Sequence, residues 1–365
     1  MDKCIYNVAR RYMILPVVVF VSSLVFASEV EFKNIRYVVD EDLKTAEVAP
    51  TPKASGNIVI PDEINAKGDK FRVVAIGEKA FKGCKGLKKI TIPATVERIG
   101  RNAFEGSGLL KDKANWKKGA VVVDGCLLAT NNEITSKFVY KGKEPLRLIA
   151  EGAFAGNKTL KTFIMPENMK EVPFEAFCGC AVLTSVVIPD SAVEIGDRAF
   201  FGCILLKSAD LPKGLKRIGD GAFDGCAKLA AVELPKTLDS IGVRAFAGCA
   251  RIKTITLPAG LTEIKDGLFD GCTALDGIVL PAGVTRIGNE AFRNCQRFRS
   301  ITLPEGLKEI GDRAFYGCTN LKTVEWNEAL RLIGKEAFYG CKNLYVPVFS
   351  GRVGVEKNAF KGCVF

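Results

Sequence analysis

The sequence has no histidine in 365 residues, only two tryptophans and four methionines. Imidazole catalysis and the commonest metal ligation are therefore excluded. None of its 13 cysteines stand at the C-x-x-C spacing of structural zinc sites. There is no G-x-S-x-G nucleophile turn and no phosphate-binding loop. Nor does a pair of carboxylates stand apart from the repeating pattern described below, since Asp and Glu fall mostly at outward positions such as Asp197, Asp220 and Asp312. No catalytic residue, cofactor or metal ligand is expected, and the reading is of a protein that is not an enzyme.

Long apolar runs are also scarce. The one that exists, Met13 to Phe26, follows Lys3, Arg10 and Arg11 and precedes Ala27. That order of charge, apolar core and small residue is that of an export signal, so residues 1–27 are expected to be removed. Pro16 interrupts the run, and an uncleaved anchor is the alternative. After cleavage no stable membrane span is expected, and no sorting signal is expected at the C-terminal KGCVF. The mature chain keeps 49 basic against 40 acidic residues, an excess spread along its length. Such a dispersed charge favours polyanions in general over a nucleic-acid site, and no nucleic-acid partner is expected.

What is abundant is repetition. The second residue of each Ala-Phe or equivalent pair falls at 81, 104, 154, 177, 200, 223, 246, 269, 292, 315, 338 and 360. The interval is 23 except for one of 50 and a last of 22. A fixed period in the twenties is the mark of a solenoid whose units stack into one continuous core. Within one period, Ile252, Ile255 and Leu257 have the L-x-x-I-x-L spacing of a short parallel strand, which Pro258 ends. Leu261 and Ile264 point inward from a second extended segment, and a helical turn is expected from Leu268-Phe269 to Gly271. The fold class is thus a repeat solenoid of leucine-rich-repeat type, mostly short parallel strands with short helical turns, in about twelve repeats of 23.

A glycine follows the second inward residue at 77, 100, 196, 219, 242, 288, 311 and 334. It marks either positive φ or a backbone packed against its neighbour. Ala150, Pro173 and Lys265 replace it, and locally irregular coils are expected there. Residues 28–56 read as a hairpin that caps the first edge, with strands around Phe32–Val39 and Thr45–Val48. Residues 57–106 hold the first repeats, 107–148 an insertion with a hairpin at Asp124-Gly125 and a further strand at Lys137–Tyr140, and 149–365 the regular array with a degenerate last repeat.

The pattern L-x-x-I-x-[IL]-P followed by V-x-x-I-G-x-x-A-F-x-G-C resembles the BspA-like leucine-rich repeat family of bacterial surface proteins, over residues 57 to 363. The resemblance implies a right-handed solenoid, export to the cell surface or secretion, and action as an adhesin. Partners of such adhesins are host matrix proteins such as fibronectin and fibrinogen, other bacteria, or epithelial cells. The family supplies no catalytic residue to carry over. A periplasmic structural or scaffold protein without a host ligand is the alternative.

Ten cysteines share one repeat position, at 84, 180, 203, 226, 249, 272, 295, 318, 341 and 363. Equivalent atoms of stacked coils lie roughly 5 Å apart, within disulfide reach. Side chains in register point the same way, however, whereas a disulfide needs a dihedral near ~90°. Ser107 and Asn157 also take the position, so a ladder of buried free thiols is expected. The outward strand face is small and rich in Thr and Ser. Beside it Lys88, Lys161, Lys207, Lys253, Arg299 and Lys322 would form a basic rim. This rim is the candidate binding site for acidic protein segments, with sulfated glycans as a second class. A solvated row that keeps the sheet from aggregating is the alternative.

Overall fold

The computed structural model describes residues 28–140, 145–349 and 351–364. The expected signal segment lies outside them. At the N-terminal end β1 (Ser28–Phe32), β2 (Ile35–Asp40) and β3 (Thr45–Val48) form an antiparallel meander. Ile35, Tyr37 and Val39 alternate inward on β2, as a strand with one buried face requires. Next come β4 (Gly56–Val59), β5 (Glu63–Ala66), β6 (Asp69–Ile76) and β7 (Leu87–Thr91). The β3 strand lies parallel on β6, and β5 forms a hairpin with β6 through the left-handed pair Lys67-Gly68. The first coil therefore meets paired backbone where an open edge would invite aggregation.

Beyond the cap each coil has three sides. Short parallel strands build the first side, where Thr162–Ile164 pairs with Ser185–Val187 and that with Ser208–Asp210. Two-residue strands such as Glu171–Val172, Glu194–Ile195 and Arg217–Ile218 build the second. Both pair residues 23 apart, so the register is the sequence period itself.

The third side corrects the sequence reading: the expected helical turn is not helical. In IGDRAFFGC, Arg198 and Gly202 both take positive φ, 54° and 69°, which a right-handed helix forbids. Alternate amides then serve two purposes. Ala199, Phe201 and Cys203 donate to Gly196, Arg198 and Phe200 within the coil, while Arg198, Phe200 and Gly202 donate to Asp220, Ala222 and Asp224 of the next. Twelve turns with such a left-handed pair, from Lys79/Gly83 to Asn358/Gly362, occur among the described residues. A left-handed non-glycine residue costs about 1 kcal/mol, and a net hydrogen bond returns a similar amount. Helix among the described residues is confined to the insertion, at Gly108–Lys111 and Lys113–Asn115.

The core is a ladder of stacked phenyl rings. Phe177, Phe200, Phe223 and Phe246 are fully buried, with successive centroids 5.3, 5.3 and 5.4 Å apart and planes within 12° of parallel. The recurrent glycine proves to be the close-packed kind. At Gly242 φ is not positive, but an added Cβ would lie 2.4 Å from the Asp220 amide nitrogen of the preceding coil.

Of the three units without that glycine, two interrupt the second side. Gly196, Gly219 and Gly242 each donate N–H to the carbonyl one coil back. Pro173 has no N–H to give, and the strand at Leu148–Ile149 pairs with Cys126–Thr130 instead of continuing to Glu171–Val172. At Lys265 the sheet also stops, dividing Ser240–Ile241 from Glu263–Ile264. The first side lacks strand pairing at 254–256 in the same stretch, and the Phe246–Phe269 separation widens to 6.1 Å. Only the turn side runs on unbroken there, through Arg244 to Asp266 and Gly248 to Asp270. Ala150, by contrast, keeps its bond, to Leu127.

Candidate binding surface

All six basic residues of the expected rim are exposed. Backbone bonds run from Thr184 to Lys161, Lys207 to Thr184 and Ala230 to Lys207, then from Asp276 to Lys253, Arg299 to Asp276 and Lys322 to Arg299. Five of the six thus stand in one column of the first side, with the interruption between Ala230 and Lys253. Lys161, Lys207 and Lys253 are two coils apart, roughly 10 Å at the strand spacing. Lys88 stands apart, because β7 pairs with β4 and the insertion lies between it and the rest. The column is also not wholly basic. Asp276 meets Arg299 at 3.1 Å, leaving Lys161, Lys207, Lys253 and Lys322 with no carboxylate partner among the described residues.

The sequence reading missed how this face begins. The insertion contributes Lys137–Phe138 as a parallel strand in register with Thr162–Phe163. Val139 therefore precedes Ile164 and Val187 in one outward column, and these three are 53, 49 and 47% exposed. The spacing of 25 from Val139 to Ile164 departs from the period, which is why the column was hard to find. Farther along, Asp210 and Glu233 replace the apolar residues.

The turn side carries structural charge. Asp197 accepts the Asp220 amide, Asp220 the Val243 amide and Asp312 the Lys335 amide, so the aspartates read as merely outward are part of the coil-to-coil bonding. Asp270 is buried between Arg244 at 3.0 Å and Arg293 at 2.8 Å, and Glu175 between Arg101 at 2.8 Å and Arg198 at 3.2 Å. Paired in this way, a buried carboxylate avoids the cost of isolation.

On the second side Glu171 has no such partner among the described residues. Burial, then the charges of Glu194 and Glu151, push its carboxyl up to about 7 against the weaker pull of Arg98 and Arg217. A raised folded value means that the native state holds this proton more tightly than the unfolded chain. The stabilisation is present below about 4.5 and is lost as pH rises through about 7. Glu171→Gln is expected to flatten that decline. Thermal melts of both proteins between pH 5 and 8 that fall in parallel would refute this assignment.

The ladder cysteines are free thiols, and all but Cys363 are buried. Nine of the ten Sγ atoms donate to a phenylalanine carbonyl of the preceding coil, as Cys203 does to Phe177 at 3.1 Å and Cys272 to Phe246 at 3.2 Å, while Cys84 donates to the Thr51 carbonyl at 3.2 Å. Asn157 makes the equivalent bond to Asn131 at 2.8 Å, which explains its presence in the column. Burial pushes the Cys180 thiol up to about 12, so the group stays protonated and is a poor nucleophile or metal ligand. Under native conditions alkylation should reach part-exposed Cys178 and Cys363 first and Cys203 to Cys341 only on unfolding. Peptide mapping that finds the inner thiols labelled at the same rate would contradict the ladder.

Among the described residues no cluster could hold a metal ion, and no helix is long and apolar enough to cross a membrane. The family model described as a BspA type leucine rich repeat region matches in six copies, over residues 63–121, 147–276 and 262–365. The chain belongs to the BspA-type leucine-rich repeat family. This BspA-type chain is similar to a leucine-rich repeat protein from Bacteroides ovatus, 29% identical over 86% of this chain and 92% of that one, with a TM-score of 0.40. A leucine rich cell surface protein from Faecalibacterium prausnitzii is 22% identical, covering 82% and 95%, with a TM-score of 0.36. The pneumococcal vaccine antigen PcpA is 18% identical, covering 83% and 88%, with a TM-score of 0.37. No curated protein matches the BspA-type chain.

Proposed function

We propose that this protein is exported to the cell surface or secreted, and acts as a non-catalytic adhesin that engages a host matrix or cell-surface protein of fibronectin or fibrinogen type. The observation that carries this reading is the first side of the solenoid. It is an extended, exposed face on which Lys161, Lys207, Lys253 and Lys322 share one column beside the apolar column Val139, Ile164 and Val187. From Lys137–Phe138 onward about ten coils at roughly 4.8 Å give a face about 48 Å long, suited to an elongated acidic segment met through many weak contacts. The face offers charge for approach and apolar area for retention.

The test is surface plasmon resonance on immobilised fibronectin and fibrinogen across a salt series. The triple variant Lys161→Gln, Lys207→Gln, Lys253→Gln should lose about two- to fivefold in affinity per lysine and show a shallower salt dependence. Absence of binding to either protein, or a single substitution that abolishes it while the array stays folded, would sink the distributed model. Protease accessibility on intact cells tests the location: protection until the envelope is opened would remove the adhesin reading.

A further inference from the structure

The last four coils carry a second feature, on the turn side and away from the strand face. The residue after Phe in A-F-x-G-C is Lys82, Glu105, Ala155, Cys178, Phe201, Asp224, Ala247 and Asp270 in earlier coils, but Arg293, Tyr316, Tyr339 and Lys361 in consecutive later ones. The two tyrosine rings stack at 5.0 Å and 7°, and the Lys361 ammonium sits 5.7 Å from the Tyr339 centroid. Both faces of Tyr339 are thus covered, and what it offers a visitor is its hydroxyl edge. These side chains border a cleft of about 510 Å³.

Two amides complete the lining. Asn294 and Asn358 both hold left-handed backbone, φ 59° and 60°, and Asn294 stands where the coils on either side have Gly271 and Gly317. The Arg313–Glu336 pair, at 2.7 Å, forms a wall. Among the described residues the Asn294 and Asn358 amides and the Tyr316 and Tyr339 hydroxyls make no hydrogen bond to protein, and Lys361 makes no salt bridge, though its charge acts on Glu336 across the cleft. This contrasts with the paired arginines of the earlier coils. Five solvent-accessible polar groups therefore line one cleft without being committed to a hydrogen bond or salt bridge within the protein.

We propose that this cleft binds an acidic saccharide. Amides and phenolic hydroxyls each offer donor and acceptor, as sugar hydroxyls do, so the two sets match group for group. Lys361, with Arg313 beside it, supplies positive charge for one carboxylate or sulfate. The volume falls within the range of small-ligand sites and holds a few sugar rings. A protein segment fits less well, because interface anchors need apolar pockets and this lining is polar.

Isothermal titration of the whole protein with three probes tests the proposal: a hyaluronan tetrasaccharide carrying carboxylates, a heparin-derived tetrasaccharide carrying sulfates, and neutral chitotetraose. Saturable binding of one or both anionic probes, with chitotetraose weaker, is the expected result, and which anion binds identifies the source of the charge. The double variant Tyr316→Phe, Tyr339→Phe keeps the ring stack and should weaken binding about fivefold or more through the lost hydroxyls. Asn294→Gly restores the residue of neighbouring coils, folds without strain, and should also weaken it. Lys361→Gln should remove the preference for anionic probes. Lys161→Gln with Lys207→Gln, on the strand face, should change nothing. No saturable binding of either anionic probe, equal binding of chitotetraose, or loss only in the strand-face variant would each overturn the proposal. Binding of the adhesin's protein partner is read separately and can fail or succeed without affecting this result.

Discussion

Gly242→Ala is expected to destabilise the array by about 3 kcal/mol, the upper end of what one added methyl does in a packed core. The new Cβ would lie 2.4 Å from the Asp220 nitrogen and 2.5 Å from the Gly219 carbonyl carbon, and both are backbone atoms. They cannot rotate away as a side chain would. Relief requires the two coils to separate, which stretches the Gly242 to Ile218 bond and the Val243 amide's bond to the Asp220 carboxylate. Gly260→Ala adds the same methyl where nothing lies within 4 Å and φ is not positive, so its effect should stay within about 0.5 kcal/mol. Thermal melting of the pair gives the comparison: equal midpoints would show that the glycine column tolerates side chains and that coil spacing is not set there.

Phe223→Ala should cost about 3–5 kcal/mol for the buried ring. It also removes two ring contacts, to Phe200 and Phe246, each worth about 0.5–1.5 kcal/mol. In a stacked array each unit leans only on its neighbours, so the damage should be local. Hydrogen exchange is expected to rise in the amides of 196–250 and to leave the coils around Phe338 protected. Phe246→Ala should be milder, because its contact with Phe269 is already 6.1 Å. Exchange that rises uniformly along the chain would show instead one cooperative unit.

The inward residues were legible because every coil repeats them: Leu, Ile, Ala, Phe and Cys recur in phase, and the phase is the register. The turn was not legible. Of its two left-handed positions, the second is glycine in every turn but that of Asn294, whereas the first is glycine only at 152, 221 and 267 and elsewhere includes Arg198, Arg244, Glu290 and Arg313, residues that read as good helix formers. The basic column could be written down from the period, but Lys88 was misplaced with it because an interval of 50 does not say which inserted strand joins the face. Pairings between neighbouring turns, such as Arg244 with Asp270, are invisible in sequence because each residue of a pair looks like a variable surface position.

The stretch between Ile241 and Ile264 gives the molecule a mechanical character. Elsewhere in the array at least two hydrogen-bonded ladders share the load, one being interrupted at Pro173, whereas here two of the three are interrupted and the turns alone carry the backbone bonding. A rod with one weakened section bends at that section. The two halves of the strand face, one ending near Ala230 and the other beginning near Lys253, are therefore expected to tilt against each other most readily here, with the turn side as the hinge line.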